Sequence, residues 1–90
     1  MHVRAQVQIA GDVQGVFFRS FVRSEARMLS LRGWVRNLPD GGVETVLEGD
    51  KDRVEEMIAA CRRGPGGSRV ESVTVHWERA EGDLQGFEIR

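Results

Sequence analysis

Hydrophobic and polar residues alternate at the start of the chain. The apolar positions lie two residues apart, at Val3, Ala5, Val7 and Ile9. This period is typical of a strand with one buried face. From Phe18 to Leu31 the period lengthens, with apolar residues at helical spacing at Phe18, Val22, Ala26 and Leu29. The pattern therefore predicts a strand followed by an amphipathic helix.

A hairpin is predicted next. Residues 33–38 form an apolar segment that contains Trp34 and Val35, and residues 43–48 place Val43, Thr45 and Leu47 on one face. Between them stands Pro39-Asp40-Gly41-Gly42, a strong turn sequence. Two strands joined by such a turn are typical of an antiparallel pair.

A second helix is predicted from Lys51 to Arg63, with Asp50 as its N-cap. Its apolar stripe, at i, i+3, i+4 and i+7, consists of Val54, Met57, Ile58 and Cys61. Residues 64–68 (Gly-Pro-Gly-Gly-Ser) end this helix, and two strands follow, over residues 70–77 and 87–90.

The element order is thus β-α-β-β-α-β with a short additional C-terminal strand. This order predicts a ferredoxin-like α+β sandwich, in which two helices cover one face of an antiparallel sheet. The 90 residues suit one domain, and neither an internal repeat nor a linker is visible. Because this fold supports many unrelated activities, function has to be inferred from the site.

Composition narrows the cellular setting. Hydrophobic residues make up 40% of the chain and charged residues 30%, as in ordinary globular proteins. No apolar segment has the length of a membrane span or of a signal peptide. Cys61 is the only cysteine, so no intrachain disulfide can form. We therefore expect a cytoplasmic protein that has no membrane partner.

Charge is unevenly distributed along the chain. The net charge is only −1, but residues 1–37 carry six arginines against Asp12 and Glu25, whereas residues 38–90 are acidic overall. The first part could attract a small anion. A nucleic-acid partner is not expected, since the pI is about 6.1 and such proteins are usually basic.

The connection between the first strand and the first helix is a candidate anion site. It has the sequence Gly11-Asp12-Val13-Gln14-Gly15-Val16-Phe17-Phe18-Arg19. A glycine-containing loop at a helix N-terminus presents unpaired N–H groups and positive potential. Arg19 lies in the first turn, where a cation opposes the helix dipole. A bound anion would resolve this conflict, and arginine suits phosphate because its planar fork can donate two parallel hydrogen bonds. Arg23 and Arg27 follow on the same side, and we interpret them as solvated surface residues.

Asn37 is a second candidate, with two interpretations open. Asparagine has poor strand propensity, yet Asn37 ends an otherwise apolar strand. It could simply initiate the turn at Pro39-Asp40. Alternatively, its side-chain amide could face the anion loop and hold a water molecule.

These segments resemble the acylphosphatase family. Residues 11–19 match its signature G-x-V-Q-G-V-x-F-R, and residues 33–44 match a second signature, G-W-V-R-N-x-x-D-G-x-V-E. The resemblance extends over essentially the whole chain, including Gly49, Gly64-Pro65 and the terminal Phe87–Arg90. It implies a ferredoxin-like fold and hydrolysis of the carboxyl-phosphate bond of acyl phosphates.

The resemblance also implies roles for individual residues. The backbone of residues 14–19 would cradle the phosphate, Arg19 would bind it and Asn37 would orient the attacking water. The cradle consists of Gln14, Gly15, Val16, Phe17, Phe18 and Arg19. No cofactor and no metal are expected. Two positions depart from the common pattern, Ser20 in place of an aromatic residue and Ser30 in place of glycine; they bear on substrate preference and stability.

The histidines, the cysteine and the acidic residues at the start of the second helix are expected to have no catalytic role. His2 is terminal, His76 lies in a predicted edge strand, and Cys61 belongs to a core stripe. The acidic start of the second helix, at Asp50, Asp52, Glu55 and Glu56, favours the helix dipole and is not interpreted as a metal site.

Two rival functions are weighed against this hypothesis. An RNA-binding or ligand-sensing module would show exposed aromatic and basic residues on its central strands. This chain has Gln6, Gln8, Glu44 and Glu48 there. Acylphosphatase-like domains also begin larger carbamoyl-transfer proteins that mature hydrogenases, but a chain of 90 residues favours the free-standing form. We expect a monomer, and hydrolysis of benzoyl phosphate would distinguish the three functions.

Overall fold

The computed structural model describes all of residues 1–90. They contain five strands and two helices. In chain order they are β1 (His2–Asp12), α1 (Phe18–Met28), β2 (Arg32–Asn37), β3 (Val43–Asp50), α2 (Lys51–Arg63), β4 (Arg69–Arg79) and β5 (Phe87–Ile89). The ferredoxin-like order predicted from the periodicity is confirmed. No helix is long and apolar enough to span a membrane.

The sheet is mixed: the four strands of the predicted β-α-β-β-α-β unit pair antiparallel, as expected, and the short additional strand pairs parallel. Its strand order is β4-β1-β3-β2-β5, and β5 pairs parallel with β2 while the other three pairings are antiparallel. Because β4 runs antiparallel to β1, it ends where β1 begins, with Arg79 opposite Val3. Residues 80–86 then cross to the far side of the sheet, so β5 has to run in the direction of β2.

Strand direction brings three chain segments to one end of the sheet. Since β1 and β2 both pair antiparallel with β3, these two strands point the same way, and β5 joins them. Their last residues, Asp12, Asn37 and Ile89, therefore lie at a common end, which we call the carboxyl end of the sheet. Helix α1 begins there too, because it follows β1 directly.

The core lies between the sheet and the two helices. The predicted apolar stripes are buried in it, including Ala5, Val7, Ile9, Phe18, Val22, Ala26, Val54, Met57, Ile58 and Cys61. A β-bulge interrupts β1 after Ala10, and Gly11 there has φ 131°. A side chain at Gly11 would overlap the backbone carbonyl of Arg69. Glycine thus lets β1 approach β4 closely just before the chain turns towards α1.

Helix α1 is shorter than the predicted segment and ends at Met28. The Ser30 and Leu31 N–H groups donate to the carbonyls of Arg27, at 3.1 Å, and Ala26, at 2.9 Å. This is the Schellman arrangement, which needs a left-handed residue. Ser30 occupies that position with φ 57°. Helix α2 has its predicted limits, and the Asp50 carboxylate accepts a hydrogen bond from the Asp52 N–H at 3.1 Å.

The short strand β5 is held by several contacts. The Gly33 N–H donates to the Gly86 carbonyl at 2.9 Å, and the Arg90 N–H donates to the Val35 carbonyl at 2.8 Å. Arg27, interpreted from sequence as only a solvated residue, donates from Nη2 to the Phe87 carbonyl at 2.9 Å. These bonds fix the end of the chain, and with it Ile89, beside β2.

The outer face of the sheet, away from the helices, carries a buried ion pair. Arg4 Nε donates to Glu48 Oε1 at 2.7 Å, and the same arginine binds Asp83. The Glu48 carboxylate also accepts the Glu81 and Gly82 N–H groups at 3.2 and 3.0 Å. Burial raises the pKa of Glu48, but these hydrogen bonds and the Arg4 charge outweigh it, so the pKa lies below its usual value. The cluster ties the crossing segment to β1 and β3.

The left-handed Ser30 predicts a stabilising substitution. Ser30→Gly should raise the free energy of unfolding by about 1 kcal/mol, because glycine has no Cβ to strain at positive φ. Urea denaturation measures the change. The matched control is Ser24→Gly inside α1, which should lower stability by about 0.5 kcal/mol. A loss of stability in both variants would contradict the assignment of a left-handed cap.

The Arg4–Glu48 pair predicts a pH-dependent stability difference. At pH 7, Glu48→Gln should lower the free energy of unfolding by about 3 kcal/mol, because the Arg4 guanidinium loses its buried partner and keeps only exposed carboxylates. Glu48 has a depressed pKa in the folded state, so its contribution is complete above the unfolded glutamate pKa of about 4.3. It is lost as pH falls through the lower folded value.

Denaturant titrations from pH 7 to pH 3 should therefore show the difference between the two proteins shrinking. Glu78→Gln, on exposed β4, should change stability by less than about 0.5 kcal/mol throughout. A difference that grew on acidification would contradict the depressed pKa.

Candidate active site

The loop between β1 and α1 presents a series of free backbone donors. None of the N–H groups from Gln14 to Ser20 has an acceptor within the chain; the first that does is Phe21, which donates to the Phe17 carbonyl at 3.0 Å. Gly15 and Phe17 have left-handed backbones, with φ 76° and 61°. Left-handed residues in a tight loop turn successive N–H groups towards one point, which creates an anion-binding concavity. We call residues 14–19 the cradle.

The N-terminus of α1 adds positive potential to the cradle. Phe17 occupies the N-cap and makes no side-chain capping bond, and no acidic residue stands in the first turn. Arg19 lies in that turn instead, and none of the ion pairs in the chain involves it. Dipole, free N–H groups and guanidinium therefore act in the same direction, favouring an anion.

A cavity of about 270 Å³ opens at the carboxyl end of the sheet. It brings together the two side chains singled out from the sequence, Arg19 from α1 and Asn37 from β2. The complete lining is Val13, Gly15, Phe17, Phe18, Arg19, Ser20, Asn37 and Ile89. The meeting of loop, helix and strand follows from the common direction of β1, β2 and β5.

The hydrogen bonds of the following turn bear on the two interpretations of Asn37. The turn that follows is formed without its side chain: the Leu38 N–H donates to the Gly42 carbonyl at 2.8 Å, and the Gly42 N–H donates to Asp40 Oδ1 at 2.9 Å. Asn37 itself pairs with Val43 as the last residue of β2. Turn formation thus leaves its amide available to the cavity.

Two predicted cradle residues do not line the cavity. Val16 is partly buried against the core. Gln14 Nε2 donates to the carbonyls of Leu38 and Gly42, both at 2.8 Å. Its side chain therefore fastens the cradle to the β2–β3 turn beside Asn37. Only a backbone contribution of Gln14 was expected from the sequence, because its two acceptors lie 24 and 28 residues further along the chain.

The other reactive side chains lie elsewhere. Cys61 is buried in the core, and burial raises the pKa of its thiol to about 12, so it is protonated at neutral pH. His2 and His76 are exposed and outside the cavity lining. No group of three or more His, Cys, Asp or Glu side chains is placed to hold a metal ion.

Comparisons with known proteins agree on one family. The acylphosphatase family model matches residues 5–89. An acylphosphatase of Aeropyrum pernix is 54% identical over 89 residues, covering 98% of this chain and 88% of the relative. One from Thermococcus kodakarensis is 54% identical over 87 residues, covering 97% and 94%.

Solved structures give the same result. The crystal structure of acylphosphatase from Bacillus subtilis superposes with a TM-score of 0.95 at 34% identity and covers 98% of both chains. The chain therefore belongs to the acylphosphatase family and is an enzyme that hydrolyses acyl phosphates.

Proposed function

We propose that the cradle and Arg19 hold the phosphoryl group of the substrate while Asn37 orients the attacking water. The observation that carries this proposal is the meeting of three features at one cavity: N–H groups without acceptors, an arginine without an ion pair, and an amide that the turn does not use. The substrate is a small-molecule acyl phosphate.

Charge stabilisation at phosphorus is the first task of the site. Water attacks phosphorus, a new P–O bond forms, and the bond from phosphorus to the acyl oxygen breaks, releasing a carboxylate. Negative charge on the phosphoryl oxygens has to be stabilised throughout. Arg19 can donate to two of these oxygens in parallel, and the cradle N–H groups from Gln14 to Arg19 are already fixed by the backbone.

Positioning the water is the second task. The Asn37 carbonyl oxygen can accept a hydrogen bond from water, and the amide does not titrate near neutral pH. Among the residues that line the cavity there is no carboxylate, imidazole or thiol. The proton that water loses therefore passes to a phosphoryl oxygen in this proposal, and ends on inorganic phosphate.

The remaining parts of the proposal concern the state of the enzyme. Arg19, Asn37 and the cradle come from one chain, so the proposed site needs no second copy and the protein acts as a monomer. We also propose that it is cytoplasmic and has no nucleic-acid or membrane partner. No step uses a metal ion. Hydrolysis should therefore persist in the presence of a strong chelator, and activity that required an added divalent cation would contradict this part.

Arg19→Ala should lower kcat/KM for benzoyl phosphate by at least about 10³-fold, since both charge and orientation at the phosphoryl group are lost. The fold should remain intact by circular dichroism. Arg23→Ala, one helical turn further on, is the matched control and should change kcat/KM by less than about threefold. Comparable losses of kcat/KM in the two variants would mean that Arg19 contributes only to general electrostatic attraction of the substrate, and would overturn its proposed role.

Asn37→Ala should separate turnover from phosphate affinity. We expect kcat to fall by about 10²-fold or more, because the water loses its orientation. The inhibition constant of inorganic phosphate should change by less than about twofold. Steady-state kinetics with phosphate as competitive inhibitor measure both quantities. An equal loss in kcat and in phosphate affinity, together with a lowered melting temperature, would mean that Asn37 has a structural role in the turn.

A further inference from the structure

Phe17 is a large aromatic residue that packing does not explain. Its side chain is 83% exposed, whereas Phe18 and Phe87 are buried and Phe21 is packed against the core. Its backbone does not explain it either, because a left-handed position is most easily occupied by glycine or asparagine. The cradle uses the backbone N–H group at this position, and the phenyl ring contributes nothing to it.

The surroundings of Phe17 suggest what the ring contacts. It lines the same cavity as Arg19 and Asn37, together with the apolar residues Val13, Phe18 and Ile89. Arg19 is the only charged residue in that lining. Once it holds a phosphoryl group, no second cation in the cavity remains for a carboxylate or phosphate on the acyl side. Apart from Arg19 and Asn37, Ser20 is the one polar side chain there. Val13 and Phe18 are buried, so the apolar surface available to the acyl group belongs to Phe17 and Ile89.

The cavity has room for a phosphoryl group and a compact acyl group. About 270 Å³ lies just below the volumes of about 300–1,000 Å³ that are typical of drug-sized ligand sites. A phosphoryl group and one compact substituent suit such a space. An aromatic ring is the best partner for the face or edge of Phe17, since aromatic pairs gain from both buried area and ring geometry.

We propose that Phe17 is a specificity-determining residue that favours acyl phosphates with a compact, uncharged, apolar acyl group, aryl groups foremost. The preference is against short acyl groups such as acetyl and against acyl groups that carry a second negative charge. This inference rests on the proposed function, because it takes the phosphoryl group to be seated at Arg19 and the cradle.

Kinetics of Phe17→Asn test the preference. Asparagine tolerates the left-handed backbone but removes the aromatic surface. We expect kcat/KM for benzoyl phosphate to fall about tenfold, with acetyl phosphate and succinyl phosphate changing less than about twofold. Wild-type enzyme should favour benzoyl phosphate over both. Met28→Ala, an equally exposed apolar site at the other end of α1, should leave all three values unchanged.

Two kinetic outcomes would overturn the proposal. One is an equal loss for all three substrates, which would mean that the residue at position 17 affects only the cradle. The other is an unchanged benzoyl phosphate value, which would mean that the ring does not contact the acyl group.

Binding of phosphonates separates this inference from the proposed reaction. Benzylphosphonate and methylphosphonate carry an apolar group on a phosphorus that cannot be hydrolysed in this way. By titration calorimetry, wild type should bind benzylphosphonate about tenfold more tightly, and Phe17→Asn should lose that difference. This result without any hydrolysis of acyl phosphates would support the apolar subsite while refuting the proposed function. Equal affinity of wild type for the two phosphonates would refute the subsite even in an active enzyme.

Discussion

The candidate site depends on backbone donors that the fold leaves without acceptors. Every helix begins with N–H groups that cannot bond within it, and most proteins satisfy them with a polar cap. In α1 the N-cap is Phe17, which has no capping side chain, and the left-handed residues before the helix extend the run of free donors back through the loop. A left-handed non-glycine residue costs about 1–3 kcal/mol. Local stability is thus lower at the point where an anion would restore it.

Two kinds of constraint keep this loop in place. One is strand direction, since β1, β2 and β5 finish at the same end of the sheet and bring Arg19, Asn37 and Ile89 together. The other is the Gln14 side chain, which joins the loop to the β2–β3 turn. A scaffold of this kind lets a short loop act as a rigid binding element. The proposed catalytic arrangement follows from these constraints with few dedicated side chains.

Periodicity predicted most of the fold because the chain has clear two-residue and helical patterns. The limits of α2 were predicted correctly because Asp50 and Gly64 mark its ends. The strand β5 was predicted, but its parallel pairing with β2 was not. The partner of a three-residue strand is decided by where residues 80–86 cross, and the distant Glu48 carboxylate holds that segment. The burial of Glu44 and Glu48 was missed for a similar reason. Alternation places both glutamates on the outer face, but it cannot show that arginines from neighbouring strands bury them, Arg4 at Glu48 and Arg36 at Glu44, each at 2.7 Å.

The site was predictable to different degrees. Arg19 could be singled out from the residues because a cation in the first helical turn conflicts with the dipole. For Asn37 the residues alone favoured turn formation, and water binding came from the family resemblance; the structure adds that the turn uses the Asp40 side chain. No sequence signal could have identified the two carbonyls that accept hydrogen bonds from the Gln14 side chain. Long-range geometry is the information that local patterns lack.

The deep burial of Cys61 affects how the protein withstands oxidation. Burial raises the pKa of its thiol to about 12, so the reactive thiolate is scarce at pH 7 even before access is considered. Oxidants and disulfides therefore reach this sulfur only when the core between α2 and the sheet opens. Oxidation at the single thiol should consequently follow the frequency of large unfolding fluctuations, so the packing that stabilises the fold also protects this sulfur.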